Sequence, residues 1–228
     1  MWFARGVAYP DVVLVHGLYH QPIHMQIVEA ELRSRGFMVH IPRLHRGSLG
    51  EDTRAVQTAV DDCHGEPIVV GHSYGGAVIT GLERIRRLVY IAAFVPDVDE
   101  NCAGLGGEHA PVDEWVRPHD SGGTFIRGAD AMQLFYQDCP SELADWAAKQ
   151  LVPQASGHGR GKPLRAAWKS IESTYLVCAQ DRAVAPELQE RMAQRCTTVV
   201  KMQASHSPYI ADPAAVADVI TSHTSDAR

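Results

Sequence analysis

Short apolar runs punctuate the chain: VVLVH (12–16), MVHI (38–41), IVVG (68–71), LVYIAA (88–93), TYLVCA (174–179) and TVVKM (198–202). They are rich in β-branched residues, and Gly, Pro or Asp marks most of their ends. Short continuous apolar runs of this kind predict strands buried on both faces, hence a parallel sheet. Helical spacing fills the gaps. Ile23, Ile27 and Ala30 fall on one face, with Gly36 as a stop. Residues 52–63 place Val56 and Val60 four apart, and Leu188 and Met192 repeat that spacing after Pro186, a favourable first-turn residue. Asp212-Pro213 opens a last helix carrying Val216, Val219 and Ile220. Alternation of strand and helix predicts an open α/β sheet of about six to seven mostly parallel strands flanked by helices, with right-handed crossovers.

One stretch breaks the rhythm. Residues 101–165 hold no strand-like run, are Gly-rich at GLGG and SGHGRGK, and carry helical patterns through Met132, Leu134, Phe135 and Tyr136, then Leu143, Trp146 and Leu151. The expected organisation is a core of residues 1–100 and 166–228 with a small helical cap, residues 101–165, inserted over the C-terminal edge of the sheet. That edge is where open α/β folds bind ligands.

Composition narrows the class of function. The 228 residues carry a net charge of −6, which gives no reason to expect a nucleic-acid partner. Two short basic patches, Arg84/Arg86/Arg87 and Arg160/Lys162/Arg165/Lys169, lack interleaved aromatics and read as solvated faces. Five widely spaced cysteines with no C-x-x-C suggest neither a disulfide framework nor a zinc site; reduced thiols in the cytoplasm are the expectation. The opening residues lack the pattern of an export signal. No apolar stretch reaches the roughly 18 to 20 residues of a membrane span.

Chemistry concentrates at GHSYG (71–75), which fits G-x-S-x-G between a predicted strand and a predicted helix. A serine there sits on a sharp turn with its hydroxyl presented at the sheet edge, beside free N–H groups of the following helix. The competing reading is that Ser73 only caps that helix. A serine hydroxyl needs a base, and the base needs a carboxylate to orient it. His206, in MQASHSPYI, follows the last predicted strand; Asp181 ends the strand before it. The order Ser73, Asp181, His206 is the one expected of this motif. Asp97, after another strand end, is a rival acid, with Asp181 favoured by its context.

Four motifs together resemble the α/β-hydrolase family from about residue 11 to residue 217: LVHG the first core strand, GHSYGG the nucleophile elbow, AQDRAVAP the acid loop and SHSPYIADP the histidine loop. The likeness is nearest to small esterases beside the hydroxynitrile lyases. The resemblance implies Ser73 as nucleophile, His206 as general base and acid, Asp181 as its partner, and the backbone N–H groups of Leu18 and Tyr74 as the oxyanion hole. It implies no cofactor and no metal. The implied function is cleavage of a small, largely apolar carboxylic ester or lactone through an acyl-enzyme, by a monomer or homodimer. Hydroxynitrile lyases of this lineage carry Thr at the position of Gly17 and Lys at that of Ser207, so lyase chemistry is disfavoured. Ser73 excludes the aspartate elbow of dehalogenases and epoxide hydrolases, and no HGGG lipase loop is present. With about ten residues before the first clear strand, the family's first strand or two are expected to be reduced or missing. The same fold also serves triad-bearing small-molecule receptors and biosynthetic cyclases, which these motifs leave open.

Other features compete for attention. His16, His20 and His24 recur every four residues like a metal-binding helix face, but Gly17 and Pro22 interrupt that helix. GHGRGK (157–162) lacks phosphate-loop spacing and reads as a flexible cap hinge. Tyr19, His20, Phe94, Phe135, Trp146 and Ser207 are the expected pocket residues, an apolar lining with a few polar groups.

Overall fold

The computed structural model describes residues 9–45, 47–120, 122–155 and 157–222. Its strands are β1 (Val12–Val15), β2 (Val39–His40), β3 (Ile68–His72), β4 (Arg87–Ile91), β5 (Arg117–Pro118), β6 (Thr124–Phe125), β7 (Ser173–Cys178) and β8 (Thr198–Met202). Six of them form one sheet in the order β2-β1-β3-β4-β7-β8, and every pairing in it is parallel. The helices are α1 (Gln26–Ser34), α2 (Leu49–Asp61), α3 (Gly75–Thr80), α4 (Cys102–Gly106), α5 (Gly128–Leu134), α6 (Ser141–Lys149), α7 (Pro186–Ala193), α8 (Pro208–Ala211) and α9 (Pro213–Thr221).

Because successive strand residues point to opposite faces, the apolar runs feed two cores. Val12, Leu14, Ile68, Val70, Val89 and Leu176 pack with Val28 and Leu32 of α1 and Val216 and Ile220 of α9. Val13, Val15, Val69, Leu88, Tyr90 and Val177 pack on the other face with α2, α3 and α7 through Val56, Ala77 and Leu188. Burial of one such aliphatic side chain is worth about 1.5 to 3 kcal/mol. β8 differs from the expectation of burial on both faces. It is the sheet edge, Val199 is 53% exposed, and Lys201 pairs with Glu190 at 2.5 Å. A charged residue on an edge strand discourages pairing with a second chain.

The α1 face also differs from its expected one. Pro22–Met25 forms a 3-10 turn, so the helical register begins at Gln26; Met25, Val28 and Leu32 are buried, while Ala30 is exposed. Gly36 follows α1 at φ 93°, as the stop signal predicts. α2 starts at Leu49, before the expected residue 52, because Ser48 caps it by accepting from the Glu51 N–H. Arg87 is not solvated: its buried guanidinium donates to the carbonyls of Ile220 and Ser222 at the C-terminal end of α9. A cation is stabilising there. Arg84, Arg86 and the second basic patch are exposed.

Between β4 and β7 lie α4, α5 and α6, and also the antiparallel pair β5–β6, which periodicity did not foretell. Two-residue strands carry too few positions to show a period. Thr124 and Gln154 extend the pair by exchanging two backbone hydrogen bonds of 2.8 Å. Among the described residues no helix is long and apolar enough to cross a membrane.

α3 lies closer to the sheet than side chains would allow. A Cβ on Gly75 would sit 2.6 Å from the Val15 carbonyl oxygen; one on Gly76 would strike the Phe94 carbonyl and lie 2.7 Å from Ala93 Cβ. Gly50, exposed on α2, has no neighbour nearer than 4.0 Å to such an atom. Gly76→Ala should therefore cost about 1 to 3 kcal/mol through forced backbone shifts. Gly50→Ala should instead raise stability by up to about 1 kcal/mol. Urea unfolding midpoints at unchanged m-value measure both.

Candidate active site

β3 ends at His72, and Ser73 takes φ 55°, a left-handed conformation costly for a residue with a Cβ. The surroundings impose it: Ser73 N–H donates to the Ile91 carbonyl, and the Ser73 carbonyl accepts from Gly76 and Phe94. α3 begins at Gly75 with Tyr74 as its N-cap residue and no side-chain cap. Ser73 is therefore not a helix cap, and its side chain lines a cavity of about 1150 Å³ shared with His206, Leu18 and Tyr74. Tyr19 and Ala92, flanking the same region of chain, also adopt positive φ.

His206 and Asp181 meet. His206 Nδ1 lies 2.7 Å from Asp181 Oδ2, with both side chains almost fully buried. An ionised carboxylate only accepts, so Nδ1 carries the proton and Nε2 is left as the basic nitrogen. The carboxylate is held from every side. Oδ1 accepts from the N–H groups of Ala183 and Val184, and Oδ2 accepts also from Gln189 Nε2 at 2.8 Å. Asp97 instead pairs with Lys169 on the exposed surface. Lys169 holds the Asp97 carboxyl below the usual carboxylate range.

Two residues overlooked in the sequence, Gln189 and Asp138, hold this pair, and His72, read only as the tight-turn neighbour of Ser73, joins them. Gln189 is wholly buried; besides Asp181 it accepts from Cys178 N–H and donates to the Val184 carbonyl. Asp138 accepts from both the N–H and the hydroxyl of Ser205. His72 donates through Nε2 to the His206 carbonyl at 2.8 Å. Their signals were weak: a polar residue inside an amphipathic helix, and a histidine inside the elbow motif.

The N–H groups of Leu18 and Tyr74 have no acceptor among the described residues, and both residues line the cavity. His16 Nδ1 donates to the Gly17 carbonyl at 3.0 Å. In a trans peptide the N–H points opposite to the C=O, so this bond turns the Leu18 N–H away from His16. His20 donates through Nδ1 to the Leu18 carbonyl and accepts through Nε2 from Tyr136. His24 bonds to the Ala147 carbonyl and to the Gln21 backbone. The three histidines thus brace the loop after β1 rather than converge on a common point.

Of the expected pocket residues, Tyr19, Phe94 and Phe135 line the cavity. His20, Trp146 and Ser207 do not. His20 is engaged with Tyr136, Trp146 packs near His24, and Ser207 is fully buried beneath the histidine loop. The segment read as a hinge contributes a buried residue. His158 Nε2 lies 3.3 Å from the Asp52 carboxylate, which also accepts from Tyr74 Oη at 2.9 Å. Burial, with Asp52 adding to it, pushes the Tyr74 phenol far above its ordinary value.

The model of the alpha/beta hydrolase family matches residues 12–219. The chain belongs to the alpha/beta hydrolase family. It is 28% identical to alpha/beta hydrolase nvfD of Aspergillus novofumigatus, covering 96% of this chain and 98% of that one. It is 26% identical to the pyrethroid hydrolase of Sphingobium wenxiniae, covering 92% and 86%. The crystal structure of a pyrethroid hydrolase from Sphingobium faniae superposes with a TM-score of 0.81 at 21% identity, covering 95% and 98%. At that identity the superposition speaks for the fold.

Two predictions follow from how this hydrolase builds the site. Burial, then the neighbouring His24 and His72, lowers the His20 pKa well below its ordinary value; burial, then His206, does the same for His72. Both are neutral when folded, and the unfolded chain takes up their protons below about pH 6.5. Stability should therefore fall as pH drops through that value, by about 1.4 kcal/mol per pH unit for each histidine until its folded pKa is reached. Urea midpoints at about pH 7 and pH 5 check this; a flat profile would refute it. Gln189→Leu strips Asp181 of a donor and leaves the Cys178 N–H unpaired, which costs about 1 to 3 kcal/mol. Its kcat should drop about tenfold or more at steady KM, as loss of about 1.4 kcal/mol of transition-state support requires.

Proposed function

We propose that this esterase-type alpha/beta hydrolase cleaves a small, largely apolar carboxylic ester or lactone through an acyl-enzyme on Ser73. The observation that carries the reading is the 2.7 Å His206–Asp181 pair in the wall of the cavity that Ser73 shares. Ser73 Oγ attacks the carbonyl carbon while His206 Nε2 takes its proton. The tetrahedral oxyanion rests on the N–H groups of Leu18 and Tyr74, each worth about 100- to 1,000-fold in rate. His206 then protonates the departing alkoxide, and the same nitrogen activates the water that frees the acyl group. Asp181 stays ionised and steadies the imidazolium. No cofactor enters this scheme.

Part of the lining supports this substrate class. Leu18, Phe94, Val112, Phe135, Val184 and Leu188 present apolar walls, and the volume accommodates both the acyl and alcohol halves of an ester. The relative named pyrethroid hydrolase supports an ester of this character. We read residues 101–165 as a cap, a reading supported by α4, the Pro111–Glu114 turn and the His158–Arg160 turn, all of which contribute to the lining of the cavity that Ser73 shares. A Cβ at Gly17 would meet Ser73 Cβ at 2.9 Å, which argues against the threonine-dependent lyase arrangement. Five unpaired cysteines suit a reducing, cytoplasmic setting.

Short-chain nitrophenyl esters test the proposal. Ser73→Ala should lower kcat/KM about 10,000-fold or more, and a fluorophosphonate should label Ser73 in the wild type alone. Equal turnover by the two proteins would sink the acyl-enzyme. Tight ligand capture without turnover by the wild type would mark a receptor instead.

A further inference from the structure

At the opposite edge of the sheet from Ser73, three side chains with metal-binding atoms converge, those of Asp11, His40 and Cys63, and the exposed His64 ring stands beside Asp11. Asp11 leads into β1, His40 closes β2, and Cys63 and His64 follow the end of α2. One ligand atom each from Asp11, His40 and Cys63 lies within 4.8 Å of the others. His40 Nε2 is 3.1 Å from Asp11 Oδ2, and His64 Nδ1 is 3.6 Å from the same oxygen. Asp11 is buried, Cys63 is at the margin of burial, and the His40 and His64 side chains are 30% and 90% exposed.

We propose that Asp11, His40, Cys63 and His64 form a tetrahedral site for a zinc-like divalent cation, a structural staple separate from the hydrolase centre. Ligand atoms in tetrahedral zinc sites stand about 3.3 to 3.8 Å apart, given bonds of about 2.0 Å to nitrogen or oxygen and about 2.3 Å to sulfur. The pairs that include Asp11 Oδ2 and the two histidines already fall near that range. Cys63 needs a side-chain movement away from the Ala59 carbonyl, to which its thiol now donates at 3.1 Å, and the exposed His64 ring must swing in toward His40 and Cys63. A thiolate and a carboxylate with two neutral imidazoles neutralise a dication, and Asp62 adds further negative charge beside them. Sulfur and imidazole ligands select zinc or cobalt over magnesium or calcium. Binding converts the Cys63 thiol to thiolate and releases its proton to solvent. The exposed imidazoles give an ion its way in.

Such a staple has work to do here. β2 is a sheet edge joined to β1 through only two residue pairs, Val12 with Val39 and Val13 with His40. A shared ion ties that edge to the start of β1 and to the end of α2.

The test uses the full chain without an affinity tag, stripped by chelator and titrated with Co²⁺. The expected result is one equivalent bound per chain, with the visible bands of tetrahedral cobalt and a near-ultraviolet thiolate-to-cobalt band, both erased by Zn²⁺. Cys63→Ser should lose the thiolate band, and His40→Gln should lose tetrahedral binding. Zinc at about 100-fold over its Kd should raise the thermal midpoint of the wild type by several degrees, and neither variant should respond. Absence of both bands in the wild type, or their persistence in Cys63→Ser, overturns the proposal. If Cys63→Ser does not fold, His40→Gln decides by the same reading. Fluorophosphonate labelling of Ser73 should be equal in all three proteins, which separates this outcome from any failure of the esterase reading.

Discussion

The site depends on one close approach. Residues 71–76 leave β3, turn and start α3 with their backbone pressed against the carbonyls of Val15 and Phe94, at separations only glycine permits. That contact forces Ser73 into its left-handed conformation and sets its carbonyl to accept from both Gly76 and Phe94. Strain of about 1 to 3 kcal/mol is retained because hydrogen bonds on both sides of the turn over-determine it. The parallel order β1-β3-β4 supplies those flanking backbones, so sheet topology and elbow geometry are one constraint.

The second layer of the site is a set of neutral imidazoles and one saturated carboxylate. Asp181 accepts four hydrogen bonds, from His206, Gln189, Ala183 and Val184, which stabilise its charge in a buried position. His72 reaches across from the elbow to the His206 carbonyl, so nucleophile loop and histidine loop are linked directly. His16 and His20 hold successive carbonyls of the loop after β1. Burial first, and then the neighbouring rings, hold His20 and His72 neutral, which keeps each able to act as a fixed donor at one nitrogen.

Much of this was legible in the sequence, for definite physical reasons. The central strands β1, β3, β4 and β7 announced themselves because parallel strands buried on both faces need unbroken apolar runs, and the elbow because its glycines leave a pattern. Asp181 and His206 stood out as polar residues at strand ends, where no packing role explains them. What stayed hidden depends on tertiary partners. Gln189 looks like an ordinary polar helix residue until β7 presents Cys178 and Asp181 to it. Arg87 looks like surface charge until the end of α9 arrives above it. His20, Trp146 and Ser207 share the composition of a pocket lining, and only the direction of each side chain removes them from it. β5 and β6 are too short to carry any period, and the α1 face shifted because a 3-10 turn at Pro22 changed the rotation that 3.6-residue counting assumes.

Tyr74 shows how deeply core and site are merged. It lines the cavity, while its hydroxyl donates to Asp52 in α2. Asp52 in turn meets His158, which lines the cavity and is itself bonded to Gln154, the backbone partner of Thr124 in the β5–β6 pair. One buried carboxylate thus connects the residue after the elbow serine to the cavity-lining segment 157–160. A surface loop could not make that connection, because a hydrogen bond open to water gains little over the one water offers. The burial of Asp52 and His158 is what lets the position of that cavity-lining segment depend on α2, which also anchors Tyr74 beside the elbow.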